Sequence, residues 1–338
     1  PPEYPYSSGT TKILRENFAE LCREATPLLR LARDDLVVDV GSNDGTLLSN
    51  FQQAGFRVHG IEPTQMGVAA QKRGIPTTIS FLTAESAERV RREQGPAKVV
   101  TATNVFAHIE DVHAVVDNIR RLLADDGTFI SESHYLLSLV ETLQYDTIYH
   151  EHLRYYSLTS VEYLLARHGL EVFFAKRIPT HGGSIRIYAA PRGTKPVDPA
   201  VAEIRRQEAA LTVEALAEFK RRVVRSKIDL YALLKSIKAS GQRIYGIGAP
   251  SRASTLINYV GLDDGILDCV LEIKGSYKIG KYMPGTLVPV VDESRLFDDP
   301  PDYALLLSWH IADELIAKLR ERGYTGRFLV PLPEPRVV

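Results

Sequence analysis

Cysteine is scarce in this sequence of 338 residues, in which only Cys22 and Cys269 occur, far apart and in apolar surroundings. Two such residues exclude a disulfide framework and a cysteine zinc site, and they favour a reducing compartment, the cytoplasm. No apolar run reaches the roughly 18 residues of a membrane span, and the first residues do not resemble a secretory signal. The formal net charge is only −1, which gives no electrostatic reason to expect nucleic acid or an acidic membrane as a partner.

Short apolar runs alternate with helical periods along the first half of the chain. Leu36–Val40 and Arg57–Ile61 have the composition of buried strands, and a helical pattern follows each of them. Strands alternating with helices predict a parallel, doubly wound α/β sheet. The predicted strands of this half cover 36–40, 57–61, 99–103, 128–131, 170–177 and 184–190, and the predicted helices cover 11–33, 47–53, 64–73 and 111–124.

Three features set the predicted domain boundaries. A capping box from Thr159 to Glu162 is predicted to open a helix that ends near Gly169. Residues 198–238 have a helical apolar period and predict one long helix, or two in line. The alternation then restarts, with predicted strands at 243–247, 267–271, 303–308 and 327–330 and helices at 253–259 and 312–322. We therefore expect a Rossmann-like first domain over 1–195, a linking helix over 196–240, and a smaller α/β Rossmann-like domain over 241–338.

The first Gly-rich turn is the most specific local signal. It follows the strand that contains Asp39, and it runs from Gly41 through Asn43 and Asp44 to Gly45 before a helix opens. Glycines permit a close approach of ligand and backbone, and turns of this kind at the carboxyl edge of a parallel sheet bind nucleotides. Asn43 stands where the dinucleotide fingerprint needs glycine. An acidic turn suits a ligand with an ammonium group and no phosphate, which describes S-adenosylmethionine (SAM) better than NAD.

Two further segments fit a SAM site. Glu62 ends the second strand roughly 20 residues after the turn, where a carboxylate would accept both ribose hydroxyls. Asn104 follows the strand at 99–103 and is expected to reach the methionine part or the adenine of the ligand; His108 of the same segment is assigned to the same site. The alternatives are a solvated loop carboxylate at position 62 and a turn-forming asparagine at position 104.

The turn, the acidic second strand and the Asn-Val-x-Ala-His segment resemble the nucleotide-sugar C-methyltransferases of deoxysugar and antibiotic biosynthesis. Four more segments extend the resemblance over nearly the whole chain: Asp146-Thr147-Ile148-Tyr149-His150-Glu151-His152, His181-Gly182-Gly183-Ser184-Ile185-Arg186, Tyr245-Gly246-Ile247-Gly248-Ala249-Pro250 and Lys278-Ile279-Gly280-Lys281-Tyr282-Met283-Pro284-Gly285-Thr286. Members of this family usually begin with a cysteine-rich zinc module, for which this chain has no ligands. They also tend to have Asp-x-Asn-Pro where this chain has Glu272-Ile273-Lys274-Gly275.

The resemblance implies methyl transfer from SAM to a ring carbon beside a ketone. In this family the expected carbon is C-3 of a 4-keto-deoxysugar that is linked to a nucleotide such as thymidine diphosphate. That carbon becomes nucleophilic only after a base removes its proton, and histidine is suited to this role near neutral pH. His152, the last histidine of the tract, is the expected base. Tyr149 and Glu151 would orient it or hold the sugar.

The resemblance also assigns residues outside the end of that tract. His181 would hydrogen-bond the keto or enolate oxygen, and Tyr4 or Tyr6 would reach the active site. His150 is expected on the opposite side if the segment is extended. The spacing of His150 and His152 also fits a metal pair, but no further ligand cluster is evident and the reaction needs no metal.

A second Gly-rich turn lies at 246–252 and precedes a helix. Amide groups at a helix start, with an arginine nearby and two lysines downstream, predict a site for the diphosphate of the nucleotide sugar. The expected substrate-binding residues are Gly248, Ala249, Pro250, Ser251, Arg252, Lys278, Lys281 and Tyr282. The alternative is an ordinary strand-to-helix turn with basic residues at the surface.

The residues leave three other functions open. The first is SAM-dependent O- or N-methylation of another small molecule, which the second α/β domain disfavours because a simple acceptor needs no such domain. The second is an NAD-dependent oxidoreductase or epimerase that uses the turn at Gly246, and the third is a non-catalytic protein that binds SAM or a nucleotide sugar. A monomer or a small homo-oligomer is expected.

Overall fold

The computed structural model describes residues 8–338, which form two compact units. The first unit contains the described residues up to Leu136 together with Leu153–Ala210, and the second contains Leu137–His152 together with Leu211–Val338. The sequence had placed residues 137–152 in the first domain. They belong to the second unit because Leu143 and Tyr145 are buried in its core.

Strands and helices are numbered in chain order. The strands are β1 Leu36–Val40, β2 Arg57–Ile61, β3 Thr77–Thr78, β4 Ala97–Thr103, β5 Leu123–His134, β6 Leu170–Ile178, β7 Ser184–Pro191, β8 Ile244–Ile247, β9 Cys269–Glu272, β10 Val290–Asp292, β11 Tyr303–Leu306, β12 Arg327–Val330 and β13 Arg336–Val337. The α-helices are α1 Lys12–Leu28, α2 Thr46–Gln53, α3 Gln65–Lys72, α4 Ala84–Gln94, α5 Val112–Leu122, α6 Leu136–Glu141, α7 Leu158–Ala166, α8 Pro199–Glu208, α9 Val213–Ala239, α10 Ser251–Val260, α11 Arg295–Asp298 and α12 Ala312–Glu321.

The first unit contains a seven-stranded sheet in the order β3-β2-β1-β4-β5-β7-β6. Strands β1 to β5 are parallel, whereas β7 is antiparallel to both β5 and β6. The sheet is therefore not wholly parallel, because the five residues between β6 and β7 are too few for a crossover and permit only an antiparallel connection. All five residues of β1 are buried, so the strand that leads into the first Gly-rich turn lies inside the sheet.

The second unit repeats part of this order. Its sheet runs β10-β9-β8-β11-β12-β13; the first five strands are parallel and β13 is antiparallel to β12. Counted from the first strand of each unit, β10-β9-β8-β11-β12 has the same order as β3-β2-β1-β4-β5. The second Gly-rich turn consequently follows the same central strand as the first, where ligands bind in open α/β sheets.

One local prediction was wrong. The capping box of α7 is formed by Ser157 and Ser160, two residues earlier than predicted: Ser157 Oγ accepts from the Ser160 amide at 3.1 Å, and Ser160 Oγ accepts from the Ser157 amide at 3.0 Å. Glu162 instead pairs with Arg205. Of the two alternatives for residues 198–238, one long helix or two, the structure has two, α8 and α9, and Thr212 caps the second of them. Within residues 8–338, every helix is too short or too polar to span a lipid bilayer.

Candidate active site

The first Gly-rich turn lies against the strands on both sides of β1. The Gly41 amide donates to the Ile61 carbonyl oxygen at 2.8 Å, which ties the turn to the end of β2. Gly41 has φ +70°, and a Cβ atom there would lie 2.6 Å from Cγ2 of Val105, which follows β4. Position 41 therefore requires glycine for both its backbone angle and its close contact with Val105.

Asp39 lies beneath this turn and is only 2% exposed. Its Oδ1 accepts a hydrogen bond from Thr101 Oγ1 at 2.6 Å. Burial raises the pKa of Asp39 to about 7; the bond from Thr101 opposes this shift, and the charges of Glu62 and Glu132 add to it. The predicted cofactor residue Asp39 thus contacts the sheet interior in this structure.

Glu62 is positioned by backbone amides. Its Oε2 accepts from the Asn43 amide at 2.9 Å, and its Oε1 accepts from the Thr64 amide at 2.9 Å. Each carboxylate oxygen can accept more than one hydrogen bond, so both retain capacity for ribose hydroxyl donors. The side chain is almost fully buried and held from two sides, which fixes its orientation before any ligand binds.

Asn43 and Asp44 accept bonds from the segment that precedes α1. Asn43 Oδ1 accepts from the Ser8 amide at 2.9 Å, and Asp44 Oδ2 accepts from the Gly9 amide at 3.1 Å. Asp44 Oδ1 also accepts from Thr46 Oγ1 at 2.6 Å. These two predicted cofactor residues therefore hold residues 8 and 9 over the turn, a contact that no local sequence pattern predicts.

Asn104 presents a buried acceptor on the other side of the turn. Its backbone has φ +58°, and its amide donates to the Glu132 carbonyl oxygen at 2.8 Å. Its Oδ1 is buried, with no hydrogen-bond partner among the described residues. A buried acceptor without a donor is costly, so the position fits a ligand with an N–H group. His108, predicted for the same site, is exposed.

The tract 145–152, in the second unit, folds as a turn around His152. His152 Nδ1 lies 2.9 Å from the Thr147 carbonyl oxygen, and Nε2 lies 2.9 Å from the Tyr149 hydroxyl. A carbonyl oxygen only accepts, so Nδ1 carries the hydrogen. In the neutral ring, Nε2 is then the basic nitrogen and accepts from Tyr149. The tract is not extended, and His150 and Glu151 are exposed in the turn.

His181 belongs to the first unit, in the loop between β6 and β7. It has φ +55°, and its ring lies 5.3 Å from the ring of His134, centroid to centroid. Tyr4 and Tyr6 lie outside the described residues.

Arg252 is engaged in a buried ion pair. Its Nε and Nη2 donate to the two carboxylate oxygens of Asp146 at 2.8 and 2.7 Å. Trp309 Nε1 donates to Asp146 Oδ2 at 2.7 Å, and the guanidinium lies 4.9 Å from the centroid of the Trp309 ring. The side chain is 8% exposed. This geometry does not support the predicted contact between Arg252 and a diphosphate, because the guanidinium is already paired inside the second unit.

One lysine contacts the rest of the second turn. Lys278 Nζ donates to the Ala249 carbonyl oxygen at 2.7 Å, while the Ala249 amide donates to Glu272 Oε2 at 3.2 Å. Lys281 is exposed and lies 4.7 Å from the ring centroid of Tyr277. Pro250 caps α10, Ser251 opens it, Gly248 has φ +81°, and Tyr282 is exposed.

Two contacts of the tract were missed. The sequence contained Asp146 and Trp309 but gave no reason to pair them, since 163 positions separate them. Asp146 was the one available signal, because it is an acidic residue without an assigned catalytic role in this tract, and a buried carboxylate needs a cationic partner. Glu272 was noted only as a departure from the family pattern, although it stands at the end of β9 as Glu62 stands just after β2.

Comparisons with known proteins agree over both halves of the chain. Residues 13–173 match the family model described as a methyltransferase domain, and residues 179–333 match the one described as the C-methyltransferase C-terminal domain. The chain is 36% identical over 343 residues to C-methyltransferase NovU of Streptomyces niveus, covering 99% of this chain and 81% of that protein.

Among solved structures, the chain is similar to the PH0226 protein of Pyrococcus horikoshii, with 16% identity, a TM-score of 0.44, and coverage of 56% of this chain and 97% of that chain. It is also similar to magnesium protoporphyrin IX methyltransferase of Synechocystis PCC 6803 with bound SAM, with 17% identity, a TM-score of 0.39, and coverage of 52% and 78%.

Proposed function

The chain belongs to the SAM-dependent C-methyltransferase family, and from this premise we propose that it methylates a ring carbon beside the ketone of a nucleotide-linked 4-keto-deoxysugar. The proposed carbon is C-3, the proposed nucleotide is thymidine diphosphate, and the proposed setting is deoxysugar formation for an antibiotic. The observation that carries the proposal is the chain of contacts from the Thr147 carbonyl through His152 to the Tyr149 hydroxyl. It presents a neutral imidazole with a defined basic nitrogen.

SAM supplies an electrophilic methyl group on a sulfonium sulfur. In the first unit, Glu62 is proposed to accept the ribose hydroxyls, since both of its oxygens are oriented by amides and retain lone pairs. Asn104 Oδ1 is proposed to accept from an N–H group of the ligand, which would satisfy its buried oxygen. Gly41 permits the backbone approach, and the acidic surroundings favour the positive charge of the ligand.

His152 is proposed as the base. Its Nε2 takes the proton from the carbon beside the ketone, and the electron pair of that C–H bond passes into the enolate. Thr147 stabilises the imidazolium that forms, because its carbonyl oxygen accepts from Nδ1–H. The substrate carbon then forms its bond to the methyl carbon as the methyl–sulfur bond breaks, which leaves S-adenosylhomocysteine. His181 is proposed to hydrogen-bond the keto oxygen, and Tyr149 to orient Nε2 before the substrate binds.

The second unit is proposed to bind the nucleotide diphosphate. The amides at the start of α10 are proposed as anion donors, and Lys278 adds positive charge at this turn, where its Nζ donates to the Ala249 carbonyl oxygen. Lys281 is proposed as a further substrate-binding residue. Arg252 is not included in this site, because its guanidinium already donates to the carboxylate of Asp146. A monomer or small homo-oligomer in the cytoplasm is proposed, which agrees with two buried free thiols.

The test combines binding and turnover. The protein is titrated calorimetrically with SAM and with a thymidine diphosphate 4-keto-deoxysugar, and the product is identified by mass spectrometry and carbon NMR. We expect both ligands to bind and a new carbon–carbon bond to form. We expect His152→Asn to bind both ligands and to transfer methyl about 10²–10⁴-fold more slowly. Binding of SAM without binding of the nucleotide sugar would favour an O- or N-methyltransferase acting on another small molecule.

A further inference from the structure

We infer that Arg252 is a positioning residue for His152 and acts through Asp146; the inference rests on the proposed role of His152 as the base. Arg252 is the second residue of helix α10, and Asp146 lies in the tract that carries the histidine. Both belong to the second unit.

The ion pair is specific in its geometry. Two parallel N–H donors of Arg252 meet the two oxygens of Asp146, and the Trp309 indole adds a third donor to the same carboxylate. The Asp146 side chain is 0% exposed. A carboxylate buried in this way requires its cation, since removing one partner leaves an uncompensated charge. A lysine cannot reproduce the fork, because its ammonium is a single point charge.

The carboxylate anchors the backbone that orients the histidine. Asp146 and Thr147 are consecutive residues of one 3₁₀ turn, Tyr145–Thr147. The Thr147 carbonyl oxygen accepts from His152 Nδ1, and Thr147 Oγ1 donates to the Gln144 carbonyl oxygen at 2.8 Å. Any rotation of this turn would move the carbonyl that fixes the tautomer of His152. The position of Asp146 therefore determines which nitrogen of the ring is basic.

Helix α10 holds the tract along one face. Arg252, Thr255 and Tyr259 are spaced three and four residues apart, so they share that face. Thr255 Oγ1 donates to the Ile148 carbonyl oxygen at 3.3 Å, and the Tyr259 ring lies 5.2 Å from the Tyr145 ring, centroid to centroid. Arg252 is the charged member of this set. Helix α10 thus packs against the tract that contains His152 and stabilises its position. Rigid elements hold such groups more precisely than loops do.

The experiment compares Arg252→Met and Arg252→Lys with Lys238→Met. Lys238 forms an ion pair with Asp268 in the same unit, and its Nζ donates to both carboxylate oxygens at 3.0 and 3.1 Å. With SAM and the thymidine diphosphate 4-keto-deoxysugar, we expect Arg252→Met to lower kcat about 10–100-fold, because a catalytic group displaced by roughly 1 Å loses about that much. We expect little change in KM or in SAM affinity, a smaller loss of kcat for Arg252→Lys, and no change for Lys238→Met.

The second readout is the ¹⁵N NMR spectrum of the histidine side chains, assigned with His152→Asn. We expect the Nδ1–H tautomer of His152 in the wild type and a mixture of tautomers in Arg252→Met. An Nε2–H tautomer in the wild type would overturn the inference, and this measurement needs no variant of Arg252 to fold. A raised KM for the nucleotide sugar with unchanged kcat would also overturn it and would make Arg252 a substrate contact. Absence of methyl transfer by the wild type, with the expected tautomer present, would instead contradict the proposed function.

Discussion

The two units each contain a strand, a Gly-rich turn and a helix, and the two turns are built alike. In the first unit, Glu62 follows the neighbouring strand and accepts from the Asn43 amide of the turn at 2.9 Å. In the second, Glu272 ends the neighbouring strand and accepts from the Ala249 amide at 3.2 Å. The second oxygen of each carboxylate accepts an amide that follows it closely, from Thr64 or from Ile273.

The turns differ in the charge around the carboxylate. Asp44 and Glu62 lie at the first turn, and Arg73 pairs with Asp44 at 3.2 Å. At the second turn, Lys278 Nζ lies 3.8 Å from Glu272 and donates to the turn itself. Ligands of open α/β sheets bind at this point of the strand order. We therefore propose that the first turn binds a cationic ligand and the second an anionic one.

The largest expected difference between the two turns follows from adding a methyl group to each of them. Gly41→Ala and Gly248→Ala carry similar backbone strain, with φ +70° and +81°. The new Cβ would lie 2.6 Å from Val105 at the first turn but 3.0 Å from the Ser308 hydroxyl at the second. We expect Gly41→Ala to weaken SAM binding by about 100-fold or more, measured by calorimetry, since overpacking costs about 1–3 kcal/mol on top of strain. Gly248→Ala should leave SAM affinity unchanged; equal losses would contradict separate sites.

Local patterns predicted the turns and missed what stabilises them. The bounds of β1 and β2 were predicted correctly, because a short apolar run ending at glycine or at an acidic residue before proline is a local signal. The segment 137–152 was assigned to the wrong unit, since its attachment depends on the Asp146–Arg252 pair, which spans 106 positions. The same holds for the order of the antiparallel strand β7, which inserts between β5 and β6.

The site was predicted more fully in its residue types than in their contacts. Glu62 and His152 stand in geometries suited to their expected roles, whereas Asn43 and Asp44 bind the backbone of residues 8 and 9. That contact joins residues 35 positions apart, and no periodicity reports it. The orientation of the His152 ring likewise depends on the backbone carbonyl of Thr147. Because every residue has a backbone carbonyl, the residue type at position 147 does not predict this contact.

Exchanging the carboxylates of Glu62 and Glu272 for amides tests which of the two turns contributes to SAM binding. Glu62→Gln loses the charge that would accept the ribose hydroxyls and should weaken SAM binding about tenfold, because hydrogen bonds to a charged group contribute about 1.5–3 kcal/mol. Glu272→Gln is the matched control and should leave SAM affinity unchanged. Titration of both variants with SAM distinguishes them, and a tenfold loss in Glu272→Gln would show that the second turn also contributes to SAM binding.

Removing the positive charge of Lys278 at the second turn should have a smaller effect on binding, and it should affect the nucleotide sugar and not SAM. Lys278 is partly exposed, so we expect Lys278→Met to weaken binding of a thymidine diphosphate sugar only about threefold, with the loss fading at high salt. SAM affinity should not change. The measurement is calorimetry at two salt concentrations, with Lys274→Met as the exposed-lysine control; a larger effect of salt on SAM than on the nucleotide would reverse the assignment of the two turns.

The least disruptive substitution is Asp39→Asn, which tests through stability whether the buried carboxyl beneath the first turn keeps its proton. The pKa of Asp39 is raised from 3.8 to about 7 by burial, so the folded protein keeps a proton that the unfolded chain releases. Wild-type stability should therefore fall as pH rises between these values, by on the order of 1 kcal/mol per pH unit, and Asp39→Asn should abolish this slope.

Denaturant unfolding at several pH values measures that slope. Asp126→Asn serves as the control, because its pKa is lowered by Lys98 and its stabilisation is lost only on acidification. A parallel pH dependence in wild type and Asp39→Asn would show that Asp39 is ionised in the folded protein.

Solvent exchange of the substrate proton tests whether His152 is the base that forms the enolate. The protein is incubated in deuterium oxide with the thymidine diphosphate 4-keto-deoxysugar and S-adenosylhomocysteine, so that the proton can be removed but no methyl group transferred. We expect deuterium to enter at the carbon beside the ketone with the wild type and not with His152→Asn, although both bind the sugar. Exchange that persists in His152→Asn would contradict the assignment of the base, and absence of exchange by the wild type would contradict enolate formation before methyl transfer.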